Sequence, residues 1–332
     1  MRGWIGIALP AVTLAALFPA PGATADDFRI GLIGLDTSHV IAFTQLLNDK
    51  SHKEHVPGGR VVAAYRGGSD DIESSYSRID GFTERLQTEF GVAIVETIEE
   101  LCTRVDAVML TSVDGRPHWS QVQPVLRAGL PVFIDKPVAG SLVDAVRIFN
   151  LAEETGTPCF TSSSYRFYES LQKLKATDVG EIRGAISYGP CHLEKTHPDF
   201  FWYGVHPMEA LYTILGAGCE TVVRTHTEHT DVTTGVWSDG RVGTFRGLRN
   251  QSTPHKVIVF GTKAVAQQEG GGNYAPLVAE IIEFFRTGKP PVAAEETIEM
   301  FAFMEAADES KRRGGVPVSI REVLDAAKAK AE

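Results

Sequence analysis

The feature that most constrains this chain is an alternation of short apolar runs with helical segments across residues 28–162. Residues 28–35, 60–65, 92–95, 107–111, 132–134 and 158–162 have the length and composition of buried strands. Residues 37–48 place Val40, Ile41, Phe43, Leu46 and Leu47 at helical spacing. Further helices are expected over 78–90, from 98, over 117–128 and over 141–155. Strands that alternate with helices build βαβ units and a parallel sheet. The expectation is an α/β, Rossmann-type nucleotide-binding domain over residues 26–160.

The texture changes after about residue 180. Residues 184–188, 221–227, 233–237, 242–247, 257–260 and 264–268 read as antiparallel strands, with a tight turn at Gly240. Helices are expected over 205–215, 275–287 and 295–313. Residues 161–332 are therefore read as an α+β substrate and oligomerisation domain with a large, mostly antiparallel open sheet.

Residues 1–25 are a separate object. Arg2, an apolar run over 4–18 and the triplet Ala23-Thr24-Ala25 have the layout of a secretory signal peptide cleaved after Ala25. A single Arg without a twin-arginine pair points to the general export route, and so to a periplasmic or extracellular protein with no membrane anchor after cleavage. Cys102, Cys159, Cys191 and Cys219 are read as free thiols, since a chain of 332 residues needs no disulfide to fold. The formal net charge of −10 excludes a broadly basic nucleic-acid binder.

The first strand-to-helix turn is where a dinucleotide pyrophosphate sits in a Rossmann domain, against G-x-G-x-x-G. This chain has Gly34-Leu35-Asp36-Thr37-Ser38-His39, with only the first glycine kept. Asp36 can cap the following helix and so supply the anion itself. After the second strand, Arg66 and Ser69 can hold a 2′-phosphate, which favours NADP over NAD.

Several segments, in order, resemble the Gfo/Idh/MocA sugar oxidoreductases. They are Ile30-Gly31-Leu32-Ile33-Gly34, Asp135-Lys136-Pro137, Arg166-Phe167, Gly204-Val205-His206-Pro207-Met208-Glu209, and the C-terminal run ending in Val316-Pro317-Val318. The resemblance implies an NAD(P)-linked oxidoreductase acting on a sugar or sugar-like polyol, and a homo-oligomer. It implies that Lys136 and His206 face the nicotinamide and the substrate hydroxyl, with Tyr165 beside them as catalytic residues. The implied cofactor contacts are Gly34, Asp36, Thr37, Ser38, His39, Arg66, Ser69, Ser112, His118 and Asp135. The chemistry suits the roles, because lysine at a strand's carboxyl end and histidine can both trade protons near neutral pH.

His192, His197, Trp202, Tyr203 and Glu209 are candidate carbohydrate contacts, and His192, His197, His206 and Glu209 a possible divalent-metal set. His226, Glu228, His229 and Asp231 are expected on a solvated strand. Three functions stay open: NAD(P)-linked redox chemistry, cofactor-independent or metal-assisted acid–base chemistry on a carbohydrate, and sugar binding without catalysis. Export should remove residues 1–25, so the chain recovered from the cell envelope should have a mass beginning at Asp26. An intact Met1 would overturn that reading.

Overall fold

The computed structural model describes residues 27–249 and 254–332. The proposed leader lies outside the described residues. The first sheet has six parallel strands: β1 (Phe28–Ile33), β2 (Gly59–Tyr65), β3 (Ala93–Val95), β4 (Ala107–Leu110), β5 (Val132–Asp135) and β6 (Cys159–Ser162). Their order is β3-β2-β1-β4-β5-β6, so the chain reverses direction across the sheet at β1. The connecting helices are α1 (His39–Asn48), α2 (Glu73–Tyr76), α3 (Ile79–Phe90), α4 (Ile98–Arg104), α5 (His118–Arg127) and α6 (Leu142–Thr155). Local chemistry sets α6: Ser141 accepts from the Asp144 amide at 3.0 Å to open it, and Gly156 at φ 64° closes it.

A 3-10 turn (Ser164–Phe167) and α7 (Glu169–Lys175) lead into the second sheet. Its elements are β7 (Ile182–Pro190), α8 (Val205–Leu215), β8 (Cys219–His226), β9 (Thr230–Trp237), β10 (Val242–Leu248), β11 (Lys256–Gly261) and β12 (Val265–Gln267). Then follow α9 (Ala275–Thr287), α10 (Ala294–Arg312), β13 (Val318–Ser319) and α11 (Ile320–Ala331). The seven strands run β12-β11-β7-β10-β9-β8-β13. The sheet is mixed, because β7 and β10 pair in parallel while the other ladders are antiparallel. The long connection through α8, β8 and β9 returns the chain to β7's flank in β7's own direction.

One apolar core runs through both halves, from Val108 and Leu110 through Leu142 and Phe149 to Met300 and Phe303. A second lies on the first sheet, where Phe284 of α9 packs edge-on against Phe160 at 4.8 Å. The far end of the chain thus covers a face of the first sheet, and the two halves share their packing. All four cysteines are free. Among the described residues no helix is long and apolar enough to cross a membrane.

Of the four residues expected on a solvated strand, His226, Glu228 and His229 are exposed as expected, but they lie at a turn and Asp231 is buried. His226 ends β8 and Thr230 opens β9, so these residues turn a hairpin. Asp231 is fully buried, held by Arg224 Nε at 2.8 Å, His226 Nδ1 at 2.7 Å and Arg249. Arg224, itself buried with its guanidinium 4.1 Å from the Phe200 ring centre, also binds Asp199 at 2.6 Å and Asp308. Burial pushes Asp308 up to about 7, against the pull of Arg224. One guanidinium therefore ties β8, β9, α10 and the loop before α8 together. Arg224→Met should cost about 3 kcal/mol or more, because it strands buried carboxylates. Urea unfolding of the two proteins at one pH measures it, and a loss under about 1 kcal/mol would contradict the role.

Candidate active site

The loops at the carboxyl ends of β1, β5 and β6 meet the α8 entry in a crevice of about 350 Å³. This is where an open parallel sheet receives ligands. Thr37, Ser38 and His39 come from the β1 turn, Lys136 and Pro137 from the β5 turn, and Ser163, Ser164 and Tyr165 from the β6 turn. The opposite wall is Trp202, Tyr203 and His206, joined by His255 and Tyr274.

Asp135 organises the floor. It is buried, accepts the Lys136 amide at 2.9 Å, and lies 2.6 Å from His39 Nδ1 and 3.7 Å from Lys136 Nζ. Burial works to raise its pKa, but His39 and Lys136 overcome that and hold the carboxyl below the usual range. The His39 ring is fixed between Phe43 at 5.1 Å and Tyr274 at 4.8 Å.

His206, half-buried, engages Ser163 Oγ through Nδ1 at 2.7 Å. Burial first, then the nearby charges of Lys136, His255 and His39, lower its pKa well below the ordinary value. Tyr165 donates its hydroxyl to Gln268 at 2.5 Å, and burial raises its pKa, so the phenol stays protonated. His255 stands 5.6 Å from His206 and 5.1 Å from Tyr165, ring to ring, and burial takes it down to about 4. His255, Ser163 and Tyr274 were missed in the sequence. His255 follows a strand-poor stretch with no motif, and only the fold brings it beside His206.

Lys136, His206, Tyr165, Thr37, Ser38, His39, Trp202 and Tyr203 therefore come together in one cavity. The other candidates do not. Asp36 is no helix cap: Ser38 holds that position, and the buried Asp36 carboxylate accepts from Ser75 Oγ at 2.6 Å and the Val113 amide at 2.9 Å. Gly34 sits at φ +85°, and an added Cβ would lie 2.5 Å from the Ser112 backbone, so only glycine fits. Ser112 Oγ turns away to Gln121. His118 is buried, with its ring nitrogens on the Ser112 and Val138 carbonyls at 3.0 and 3.2 Å. Arg66 is paired with Asp80 at 2.5 Å, and Ser69 is bonded to Asp114 at 2.6 Å, so neither offers itself to a 2′-phosphate.

The substrate and metal candidates are likewise sorted by burial. His192 is exposed beside Tyr203. His197 is buried with Nε2 3.1 Å from Asp114. Glu209 is buried, accepting from Ser162 Oγ at 3.0 Å and from Arg166, whose other arm reaches Glu296 at 2.6 Å. The possible metal set of His192, His197, His206 and Glu209 thus points to separate partners, and among the described residues no group of three or more His, Cys, Asp or Glu is placed to hold a metal.

Residues 28–163 match the Gfo/Idh/MocA family, described as an oxidoreductase family with an NAD-binding Rossmann fold. The scyllo-inositol dehydrogenase of Lactobacillus casei, solved with NAD(H) and scyllo-inositol, is 14% identical with a TM-score of 0.73, over 89% of this chain and 100% of that one. Myo-inositol 2-dehydrogenase of Lactobacillus plantarum gives 16% identity and 0.73, over 89% and 99%. GenD2 of gentamicin A biosynthesis, solved with NAD, gives 16% and 0.72, over 92% and 99%. At these identities the likeness is one of fold. The YceM protein of Salmonella typhimurium is 30% identical over 91 residues, which are 27% of this chain and only 29% of that protein.

The family's dinucleotide was tested against the residues present, and they do not fit it as arranged: a buried carboxylate stands at the second glycine position, already bonded on both oxygens. What is kept is the frame, and a crevice lined by Lys136 and His206. Residues 28–163 are thus similar to the Gfo/Idh/MocA oxidoreductases, and the two-domain fold of the chain is that of the solved inositol dehydrogenases.

Proposed function

We propose that the crevice moves protons on a sugar or sugar-like polyol, the acid–base part of the chemistry of the oxidoreductase family that residues 28–163 resemble. The carrying observation is that Lys136 and His206 line one buried cavity and feel each other's charge. Ser163 occupies His206 Nδ1, which leaves Nε2 to exchange a proton with a substrate hydroxyl. Lys136, anchored by Asp135, supplies positive charge and a donor at the same oxygen. Tyr165 stays protonated and acts as a hydrogen-bonding wall. Trp202 and Tyr203 offer flat faces to a sugar ring, and Thr37, Ser38 and Ser164 offer hydroxyls.

Two solved relatives hold NAD or NAD(H), and on the redox reading NAD or NADP would take the hydride while these residues take the proton. A second reading, elimination or epimerisation without a dinucleotide, is favoured by the buried Asp36 carboxylate. In that case one of the pair removes a carbon-bound proton while the other protonates the departing oxygen or the opposite face.

A panel of inositols, hexoses and sugar acids, screened by thermal shift and then by product analysis, tests the proposal. Lys136→Met and His206→Ala should each reduce turnover about 10²–10⁴-fold with folding retained. Losses below about threefold in both would remove the pair from the chemistry. The pH profile gives a separate check. A base with a depressed pKa stays deprotonated until the pH falls through that value. The acid limb of kcat/KM should therefore lie below the ordinary histidine value of 6.5, and activity should be lost only as pH drops further.

A further inference from the structure

We infer that this chain fills its own dinucleotide groove: Asp36 occupies the pyrophosphate position, and the loops after β2 and β4 are clasped over it.

In the strand order β2-β1-β4, a dinucleotide must cross the carboxyl end of β1, between the loop after β2 and the loop after β4. Here those loops are joined directly. Ser69 Oγ donates to Asp114 at 2.6 Å, and Arg116 grips Asp71 through both terminal nitrogens at 2.9 and 2.7 Å. Beneath them Ser75, carried on α2, donates to Asp36 at 2.6 Å and accepts the Ser69 amide at 2.8 Å. The other Asp36 oxygen takes the Val113 amide at 2.9 Å. The span therefore runs from one loop to the other through Asp36 itself.

Burial decides which of these contacts matter. Asp36 and Ser75 are 0% exposed, so the bond between them is made away from water, while the Ser69–Asp114 and Val113–Asp36 bonds are part-buried. The Arg116–Asp71 pair is half in solvent and contributes little. Asp114 is also met by His197, from the loop before α8, so the second half of the molecule braces the clasp. A pyrophosphate placed here would bring its negative charge against the buried Asp36 carboxylate, while the Asp114 carboxylate beside it is paired with Arg116 at 2.7 Å. It would also take no amide from Val113 unless Asp36 gave it up. Clasp and dinucleotide are thus alternatives for one place. The crevice around Lys136 and His206 abuts the clasp at Thr37, Ser74 and Val113, does not have Asp36 among its lining residues, and remains open to a small polyol.

This inference rests on the Rossmann geometry and not on the polyol reading, so a binding measurement can fail without touching that reading. The experiment is calorimetric titration of NADH and of NADPH into the leaderless chain, residues 26–332. The native protein should bind both only weakly, with Kd about 1 mM or above. Asp36→Gly combined with Ser69→Ala should tighten at least one of them about tenfold or more. Asp36→Asn drops the charge and nearly keeps the shape: its amide oxygen still accepts from Val113, while its NH2 can only donate, so the bond with Ser75 Oγ must reverse. This variant should also tighten binding, and it covers the case in which the double variant does not fold. Native Kd values in the low micromolar range would overturn the inference. So would folded variants that bind no better than the native chain.

Discussion

The crevice depends on one buried carboxylate. Asp135 ends β5 inside the protein, where an unpaired charge is costly, and it is stable there because His39, the Lys136 amide and the Lys136 ammonium surround it. Each partner is fixed in return. His39 is turned toward β5, with its ring gripped by Phe43 and Tyr274. Lys136 is held at the mouth of the sheet with its charge turned toward the cavity that His206 shares. That charge, after burial, is the next cause of the depressed His206 pKa. Asp135 itself pulls the other way, so the carboxylate positions the cations that face His206 while burial dominates its pKa.

The opposite wall needs its own anchor, and it comes from ion pairing behind the site. Glu209 lies three residues after His206, on the same first turns of α8, and is clamped by Arg166 and Ser162 from the end of β6. Arg166 reaches on to Glu296 of α10. The imidazole is therefore positioned by a buried arginine that never enters the crevice. The Arg224 cluster does the same for the loop carrying Trp202 and Tyr203, by holding Asp199 at its middle. The geometry of the crevice is maintained by charges buried one layer away.

Sequence reasoning reached the first sheet almost strand for strand, because parallel strands are continuous apolar runs and helices between them leave a clear period. It reached α8 and α9 at their observed limits. It missed α7 and α11, short or charge-rich helices whose apolar faces are narrow. Lys136, His206 and Trp202 were legible because motif and strand-end position pointed at one crevice. Glu209, His118 and His197 were misplaced for a shared reason. A polar side chain near a motif looks the same in sequence whether it faces a cavity or is satisfied in the core, and only its partners distinguish the two. His255 was invisible because its role depends on β11 returning beside β7.

The altered glycine turn separates what a Rossmann fold needs from what its ligand needs. Gly34 is retained because the Ser112 backbone passes where a side chain would be, a constraint of strand and loop packing that holds whether or not a nucleotide is bound. The second glycine exists so that a pyrophosphate can approach the backbone, and here that position carries Asp36, whose oxygens are taken by Ser75 and Val113. The third exists for close helix packing, and here it is His39, turned instead onto Asp135. The ligand-facing position and the helix-packing position have changed, and the one that shapes the turn has not. A turn that had merely decayed would leave its new polar groups unsatisfied, whereas both replacements here are buried and hydrogen-bonded. The substitution pattern is therefore that of a turn given a different occupant, built around the carboxylates of Asp36 and Asp135.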